Sequence, residues 1–357
     1  MRIRQAHWHA YRLPYRRTIT WSDTVEDAAD YLMLQLEDDQ GRTGVAEVTL
    51  KPTWSGGTVR SVGAVLDDVL LPMILDREFE DAESLQKLLS IVPENSSAKA
   101  LVGSACELIF LQAAGEVGPI DVPMSWAVTR ASPVSMAQEA EDMVRRYGFA
   151  TLKVKGGQGF ATDVEALRSI RAAVGAGVAL TVDANWHYAP SEITSYVEAM
   201  ANAGATVVED PASLVPDAHF RAAVANAPVP LLVDFACASA WHAQVFLENG
   251  AKALSVKPGR YGLPEGYRIA RLAEEAGARA CIGLFGESAL GTLVSLQAAR
   301  RFPALTRFLP AELSFFLMLR QQVLHEEPAI RGGMLRIPAP AELPGQIDRA
   351  MLKRHAL

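Results

Sequence analysis

The chain has 357 residues, half of them hydrophobic and 21% charged, with a formal net charge of −7. That length and apolar content support a large core, in two domains or in one barrel with an appendage. Acidic and basic residues are interspersed without a basic run, which argues against a nucleic-acid partner, and no stretch reaches the ~20 uninterrupted apolar residues of a membrane span. Cys106, Cys237 and Cys281 are widely spaced with no CxxC pair, a usage that fits a reducing cytosol. Met1-Arg2-Ile3-Arg4-Gln5 has no apolar segment behind its charges, so a cytoplasmic protein is expected.

Residues 1 to about 50 read as strands and turns. Tyr31–Glu37 alternates as a strand, Asp38-Asp39-Gln40-Gly41 is a hairpin turn, and Gly44–Leu50 is the returning strand. A polar loop between Arg16 and Asp27 carries Trp21, and a Gly-containing loop, Lys51–Gly57, carries Trp54. Both tryptophans are candidate lid elements over a pocket, with ordinary packing as the alternative. From 58 to 117 the spacing of Val62, Val65, Leu66, Val69 and Leu70, and of Leu85, Leu88 and Leu89, predicts helices. Together these segments make an α+β domain.

From about residue 118 short apolar runs alternate with Ala/Glu/Arg-rich helical stretches. The expected strands are Met124–Val128, Thr151–Lys155, Val178–Asp183, Thr206–Glu209, Pro230–Asp234, Ala253–Lys257, Ala280–Leu284 and Thr306–Pro310. The intervening helices are expected near 134–147, 161–174, 191–203, 216–226, 239–249, 264–277, 289–301 and 313–323. Eight such units over about 200 residues predict a (β/α) barrel. A doubly wound open sheet competes, but no GxGxxG follows the first strand.

In a parallel barrel the active site lies at the strand C-termini. There the sequence places Lys153 and Lys155, then Asp183 and Asn185, Glu209 and Asp210, Asp234, Lys257, and finally Glu287. Lys153 and Lys155 alternate with Leu152 and Val154 and so share one face; their mutual repulsion would ease deprotonation of one of them, as a general base requires. Alone, that pentapeptide reads first as a surface strand with two solvated lysines. Asp183, Glu209 and Asp234 are 26 and 25 positions apart, one β/α unit each. A single aspartate at a strand end is usually a helix cap. Three carboxylates at one end of the barrel repel unless a cation sits between them, and hard oxygen donors suit Mg²⁺, with Mn²⁺ in its place. Lys153 and Lys155 precede these strands and Lys257 follows them. The set suits removal of a proton α to a carboxylate, a metal stabilising the enediolate while a lysine carries the proton.

These residues resemble the enolase superfamily, and within the mandelate racemase/muconate lactonizing enzyme family its muconate-lactonizing (muconate cycloisomerase) subgroup. The matching pieces are Lys153-x-Lys155, Val182-Asp183-Ala184-Asn185, Glu209-Asp210-Pro211, Asp234, Lys257-Pro258-Gly259-Arg260, and Glu287 with Ser288-Ala289-Leu290-Gly291-Thr292. The resemblance covers essentially the whole chain and implies a modified TIM barrel, (β/α)7β, at 119–325. An α+β capping domain at 1–118 precedes it, and a segment at 326–357 whose Pro328–Pro338 stretch returns to that cap follows it. It implies Asp183, Glu209 and Asp234 as ligands of Mg²⁺, Lys155 and Lys257 as acid/base groups on opposite faces, and Lys153 as a partner that tunes Lys155 and meets the substrate carboxylate. Glu287 is then a site acid, Asn185 and Asp210 neighbour the ligands, and Trp21 and Trp54 select a small-molecule carboxylate. A symmetric homo-oligomer is also implied.

The mandelate-racemase branch has a histidine at the seventh strand; Cys281-Ile282-Gly283-Leu284 offers none, which favours the lysine–lysine subgroup. In two places the chain departs from the subgroup. Phe235-Ala236 follow Asp234 where Glu-Ser is usual, which shifts the expected acid/base work from Lys257 onto Lys155. Gly283-Leu284-Phe285-Gly286 is an unusual lead-in to Glu287. The expected activity is therefore muconate-cycloisomerase-like. An amino-acid or dipeptide racemase or epimerase, or an o-succinylbenzoate synthase, is the alternative within the subgroup, and a catalytically inactive binding paralogue is the alternative outside enzymes.

Overall fold

The computed structural model of the chain describes residues 1–21, 24–116 and 118–357. Its N-terminal layer is an antiparallel sheet of β1 (Ile3–Thr20), β2 (Val25–Asp38) and β3 (Thr43–Leu50) in that order. Asp38 makes the β2–β3 turn, accepting from the backbone N–H of Gln40 and of Arg42 while Arg42 closes on its carboxylate. The polar loop expected at 16–27 is mostly strand: Ile19 pairs with Glu26, and Ile19 and Ala29 are buried on the sheet's inner face. Polar residues on the outer face hid that period of two from the sequence. Ser22 and Asp23 of that loop lie outside the described residues.

Helices Val59–Val65, Ala82–Leu89 and Ser96–Ala113 cover one face of this sheet, where Leu32, Leu34 and Leu36 meet Leu101, Ala105 and Ile109. Gly44 allows the last helix to lie directly on β3, since a Cβ there would fall on the Ala105 carbonyl. The loop Lys51–Gly57 contains one helical turn, Pro52–Ser55, ended by Gly56 at φ 70°.

After β4 (Ile120–Pro123) come seven parallel strands: β5 (Trp126–Val128), β6 (Thr151–Lys155), β7 (Ala179–Asp183), β8 (Val207–Glu209), β9 (Leu231–Val233), β10 (Ala253–Val256) and β11 (Arg279–Ile282). They form one curled sheet in sequence order with helices outside, the TIM-barrel-like architecture expected. The eighth strand expected at Thr306–Pro310 does not form. Pro303–Thr306 is a 3₁₀ turn, and Pro310 has no N–H to give a ladder. Closure comes two residues later, where Ala311 pairs with Met124 and the Glu312 N–H donates to the Ile282 carbonyl at 3.0 Å. The helix expected at 313–323 is also absent; Leu313, Ser314, Phe315 and Phe316 are buried in succession, which one helical face would not achieve, and only Phe315–Met318 turns as 3₁₀.

The C-terminal hairpin β12 (Ile330–Arg331) and β13 (Met334–Ile337) adds to β4 through β13. Pro328–Pro338 thus lies ahead of the barrel's first strand, and the last residues reach the cap: Ala356 pairs with Tyr11, and the Leu357 N–H donates to the Ala10 carbonyl at 3.0 Å. Among the described residues no helix is long and apolar enough to cross a membrane.

Leu152 of β6 is fully buried in the main core. Leu152→Ala is expected to destabilise the fold by about 2–5 kcal/mol, read as a lowered urea midpoint with the slope unchanged.

Candidate active site

Strand register assembles the site. Pairing of β6 with β7 sets Lys155 beside Asp183, and pairing of β7 with β8 sets Asp183 beside Glu209. Lys153 Nζ lies 2.7 Å from Glu209 Oε1, 2.8 Å from Glu312 Oε2 and 3.3 Å from Asp183 Oδ2. Lys155 Nζ is 2.5 Å from Asp183 Oδ2, and Lys257 Nζ is 2.5 Å from Asp234 Oδ2. Lys153, Asp183, Glu209, Asp234, Lys257 and Glu312 are all buried.

Four carboxylates against three ammonium groups leave one negative charge unbalanced. It shows at Glu209, whose carboxyl is pushed well above the usual range by burial and by Asp183, against the pull of Lys153. Burial alone would favour a neutral amine at Lys153, but Glu209, Glu312, Asp183 and Asp234 outweigh it and hold the ammonium. Repulsion between Lys153 and Lys155, the effect the sequence pattern foregrounds, is therefore not what governs Lys153. Lys257 is likewise held charged by Asp234 against burial.

Among the described residues no three His, Cys, Asp or Glu side chains are disposed as a metal cage, because the carboxylates turn onto the lysines. The donors nevertheless fit a hard divalent cation. They are all oxygens, they carry excess negative charge, and Asp234 Oδ1 is buried with no hydrogen-bond partner.

A cleft opens above this cluster. Its floor and walls include Lys153, Lys155, Asn185, Asp234 and Lys257, with Thr129, Arg130 and Trp186 on the barrel side; the cap contributes Ile19, Thr20, Trp21 and Trp54. Asn185 holds Asp183 through its side-chain amide at 3.1 Å. Asp210 points away from the floor. It accepts from the N–H groups of Asp234 and Phe235 and from Trp186 Nε1 at 2.9 Å, tying β8 to the loop after β9. Asn185, Trp186 and Asp210 all have left-handed backbone, with φ of 47°, 59° and 38°.

Phe235 does not loosen Lys257. Asp234 anchors that lysine, and the Phe235 ring is filled in between Trp186, at 4.0 Å between centroids, and the Arg260 guanidinium, 4.5 Å from its centre. The unusual lead-in to Glu287 has a steric role: a Cβ at Gly283 would collide with Ser255 Oγ and press the Lys257 stem, and Leu284 and Phe285 line the cleft. Glu287 itself is not on the cleft wall. It is buried behind it, its Oε2 accepting from the Phe285 N–H at 2.8 Å and its Oε1 unpartnered. The cap fixes this loop through Tyr31, which donates to the Gly286 carbonyl at 3.2 Å, and through Glu47, which accepts from the N–H and hydroxyl of Ser288 and from the Tyr11 hydroxyl.

Glu312 and Arg130 escaped sequence reasoning. Glu312 lies two residues past the strand expected at Thr306–Pro310, so its place after that strand end was the available signal. Arg130 follows the first barrel strand and reaches the Gly156 carbonyl at 2.6 Å and Asn185 Oδ1 at 3.3 Å; its position just past a strand terminus was the available signal.

The chain is thus a parallel barrel with a cap, bearing lysines and carboxylates together at its strand ends. Residues 135–345 match the family described as Enolase C-terminal domain-like, and the chain belongs to the enolase superfamily, in its muconate-lactonizing-enzyme subgroup. It is 27% identical to the L-Ala-D/L-Glu epimerase of Bacillus subtilis (strain 168), over 91% of each chain. To the chloromuconate cycloisomerase of Pseudomonas sp. (strain P51) it is 25% identical, over 82% of this chain and 83% of that one. In fold it superposes on the muconate lactonizing enzyme of Pseudomonas putida with a TM-score of 0.87 at 20% identity, over the whole of both chains. These relatives are cycloisomerases and epimerases, and the chain is an enzyme of the isomerase/lyase type.

Burial pushes both Glu47 and Glu287 up to about 7 from an ordinary value near 4.5. Each folded carboxyl therefore binds its proton more tightly than the unfolded one. Its contribution is complete below the unfolded value and is lost as pH rises through about 7. Glu287→Gln is expected to flatten the fall in stability between pH 5 and 8, by roughly 3 kcal/mol at most, measured by urea unfolding across that range.

Proposed function

We propose that this enzyme, with Mg²⁺ bound and Mn²⁺ able to replace it, transfers a proton at the carbon α to the carboxylate of a small molecule, in a muconate-cycloisomerase-like reaction. The observation that carries this reading is the pair Lys155 and Lys257, each 2.5 Å from its own aspartate, with the Asp183, Glu209 and Asp234 strands between them. Asp183, Glu209 and Asp234 are the residues that hold the cation. When bound, the cation supplies fixed positive charge that lowers the barrier to negative charge developing on the substrate carboxylate.

The chain's own residues do the rest. Lys153, kept charged by its carboxylates, orients the substrate carboxylate from the floor. In the lactonizing direction a carboxylate oxygen adds across a double bond, and the carbon α to the other carboxylate takes its proton from Lys155; the reverse returns that proton to Lys155. The cap's rings exclude water from the cleft. Among the described residues the cleft lining carries one carboxylate, Asp234, already paired with Lys257, and this supports a substrate without a free ammonium group.

The anchoring of Lys257 by Asp234 supports a second reading, racemisation of an N-acylated amino acid, with one lysine on each face. Exchange in D₂O, followed by NMR over a panel of muconates, N-succinyl amino acids and dipeptides, separates the two. Lactone formation is the expected result, and stereo-inversion with deuterium uptake would overturn the lactonizing reading. Lys155→Ala is expected to lower kcat at least ~10³-fold with unchanged circular dichroism, whereas Lys257→Ala keeps measurable lactonization. Removing the divalent cation with EDTA should abolish turnover and Mg²⁺ should restore it; a chain that takes up neither Mg²⁺ nor Mn²⁺ would instead be a binding paralogue.

A further inference from the structure

Lys51 directly follows β3 and is buried, with 1% of its surface exposed, although it belongs to the residue type least often found inside. Its ammonium group pairs with Glu26 near the start of β2. The same Glu26 oxygen accepts from Trp21 Nε1 at 2.8 Å. Three rings surround the ammonium, with centroids 4.7 Å away at Trp21, 5.4 Å at Trp54 and 5.7 Å at Tyr15. Trp21 and Trp54 meet edge to face at 5.1 Å; Trp21 then rests on Phe315 at 5.0 Å and Trp54 on Phe285 at 5.7 Å. Trp21, Trp54, Phe285 and Phe315 all line the cleft over the lysines, while Lys51 does not.

We infer that Lys51 is a positioning residue for this cleft: with Glu26 it forms a buried ion pair behind the two tryptophans that fixes their edge-to-face arrangement, so that the cap presents aromatic surface to the part of the substrate remote from the reacting carboxylate. Two loops of different strands hold one geometry because a single carboxylate receives both the Lys51 ammonium and the Trp21 indole. The ammonium also lies 3.4 Å from the Tyr15 hydroxyl, and the ring faces pack against it. Among the described residues the cap contributes Ile19, Thr20 and the two indoles to the cleft, so the substrate end under this roof meets mostly flat aromatic surface.

This inference rests on the proposed reaction only for its kinetic arm. The spectroscopic arm needs no substrate. The protein holds six tryptophans, and in the 5-fluorotryptophan-labelled chain each gives a ¹⁹F resonance, assigned by single Trp→Phe variants. Lys51→Met and Glu26→Gln are each expected to move the Trp21 and Trp54 resonances and leave that of Trp126, buried in the barrel core, in place. Lys51→Arg, which keeps the charge, restores them in part. The double variant moves them less than the two single shifts summed, since both act on one pair. With an active substrate, Lys51→Met raises KM about tenfold and changes kcat less than about threefold, as expected for contacts made equally in ground and transition states. Unmoved Trp21 and Trp54 resonances in both single variants, with Trp126 confirming the fold, would overturn the inference whether or not any substrate is turned over. Moved resonances with an unchanged KM would overturn the role in substrate binding.

Discussion

Asp183, Glu209, Asp234 and Glu312 share one buried space, and the fold tolerates them because three ammonium groups are set among them. Removing an ion from water costs several kcal/mol even after relaxation, so such a cluster survives only when every charge meets its opposite at hydrogen-bond distance. That constraint dictates much else. It requires parallel strands in a register that puts Lys155, Asp183 and Glu209 side by side, and a closing segment that brings Glu312 back to Lys153. It also explains why the glycine at 283 is needed, since the Lys257 stem passes where a side chain would stand.

The cap is bound to this centre by polar contacts of its own. Glu47 and Tyr31 of its sheet hold the loop that carries Phe285 and Glu287, while Lys51 and Glu26 hold the tryptophans that face the same rings. One sheet thus sets both the back wall and the roof of the cleft. Changes in the cap, far from the lysines in sequence, act on the same space as changes at the barrel mouth.

Much of this was legible in the chain. The β/α alternation gave the barrel because each unit carries its own apolar run, and the strand ends gave the lysines and three carboxylates because a parallel sheet points all its C-termini one way. What escaped notice depends on contacts that sequence spacing does not encode. Glu312 lies two residues past the strand expected at Thr306–Pro310, and the closure that brings it to Lys153 forms at Ala311 and Glu312 instead of within that run. Lys51 and Glu26 meet only because of the β1–β2–β3 arrangement, and the polar composition of 16–27 read as loop where two strands run on. At Phe235 the departure from the family pattern is visible in the sequence, but the packing of its ring is not. Lys257 takes its anchor from Asp234, one residue earlier, and the aromatic ring occupies space beside Trp186.

Asn185, Trp186 and Asp210 occupy backbone conformations that side chains disfavour, at the ends of two neighbouring strands. Each such residue stores on the order of 1–3 kcal/mol, and glycine would relieve it. Yet Asn185 steadies Asp183, Trp186 walls the cleft and Asp210 ties the loop after β9. Glycine at these three positions would relieve the backbone and at the same time delete the bonds that tie the barrel mouth together, so the local strain and the shape of the mouth are set by the same side chains.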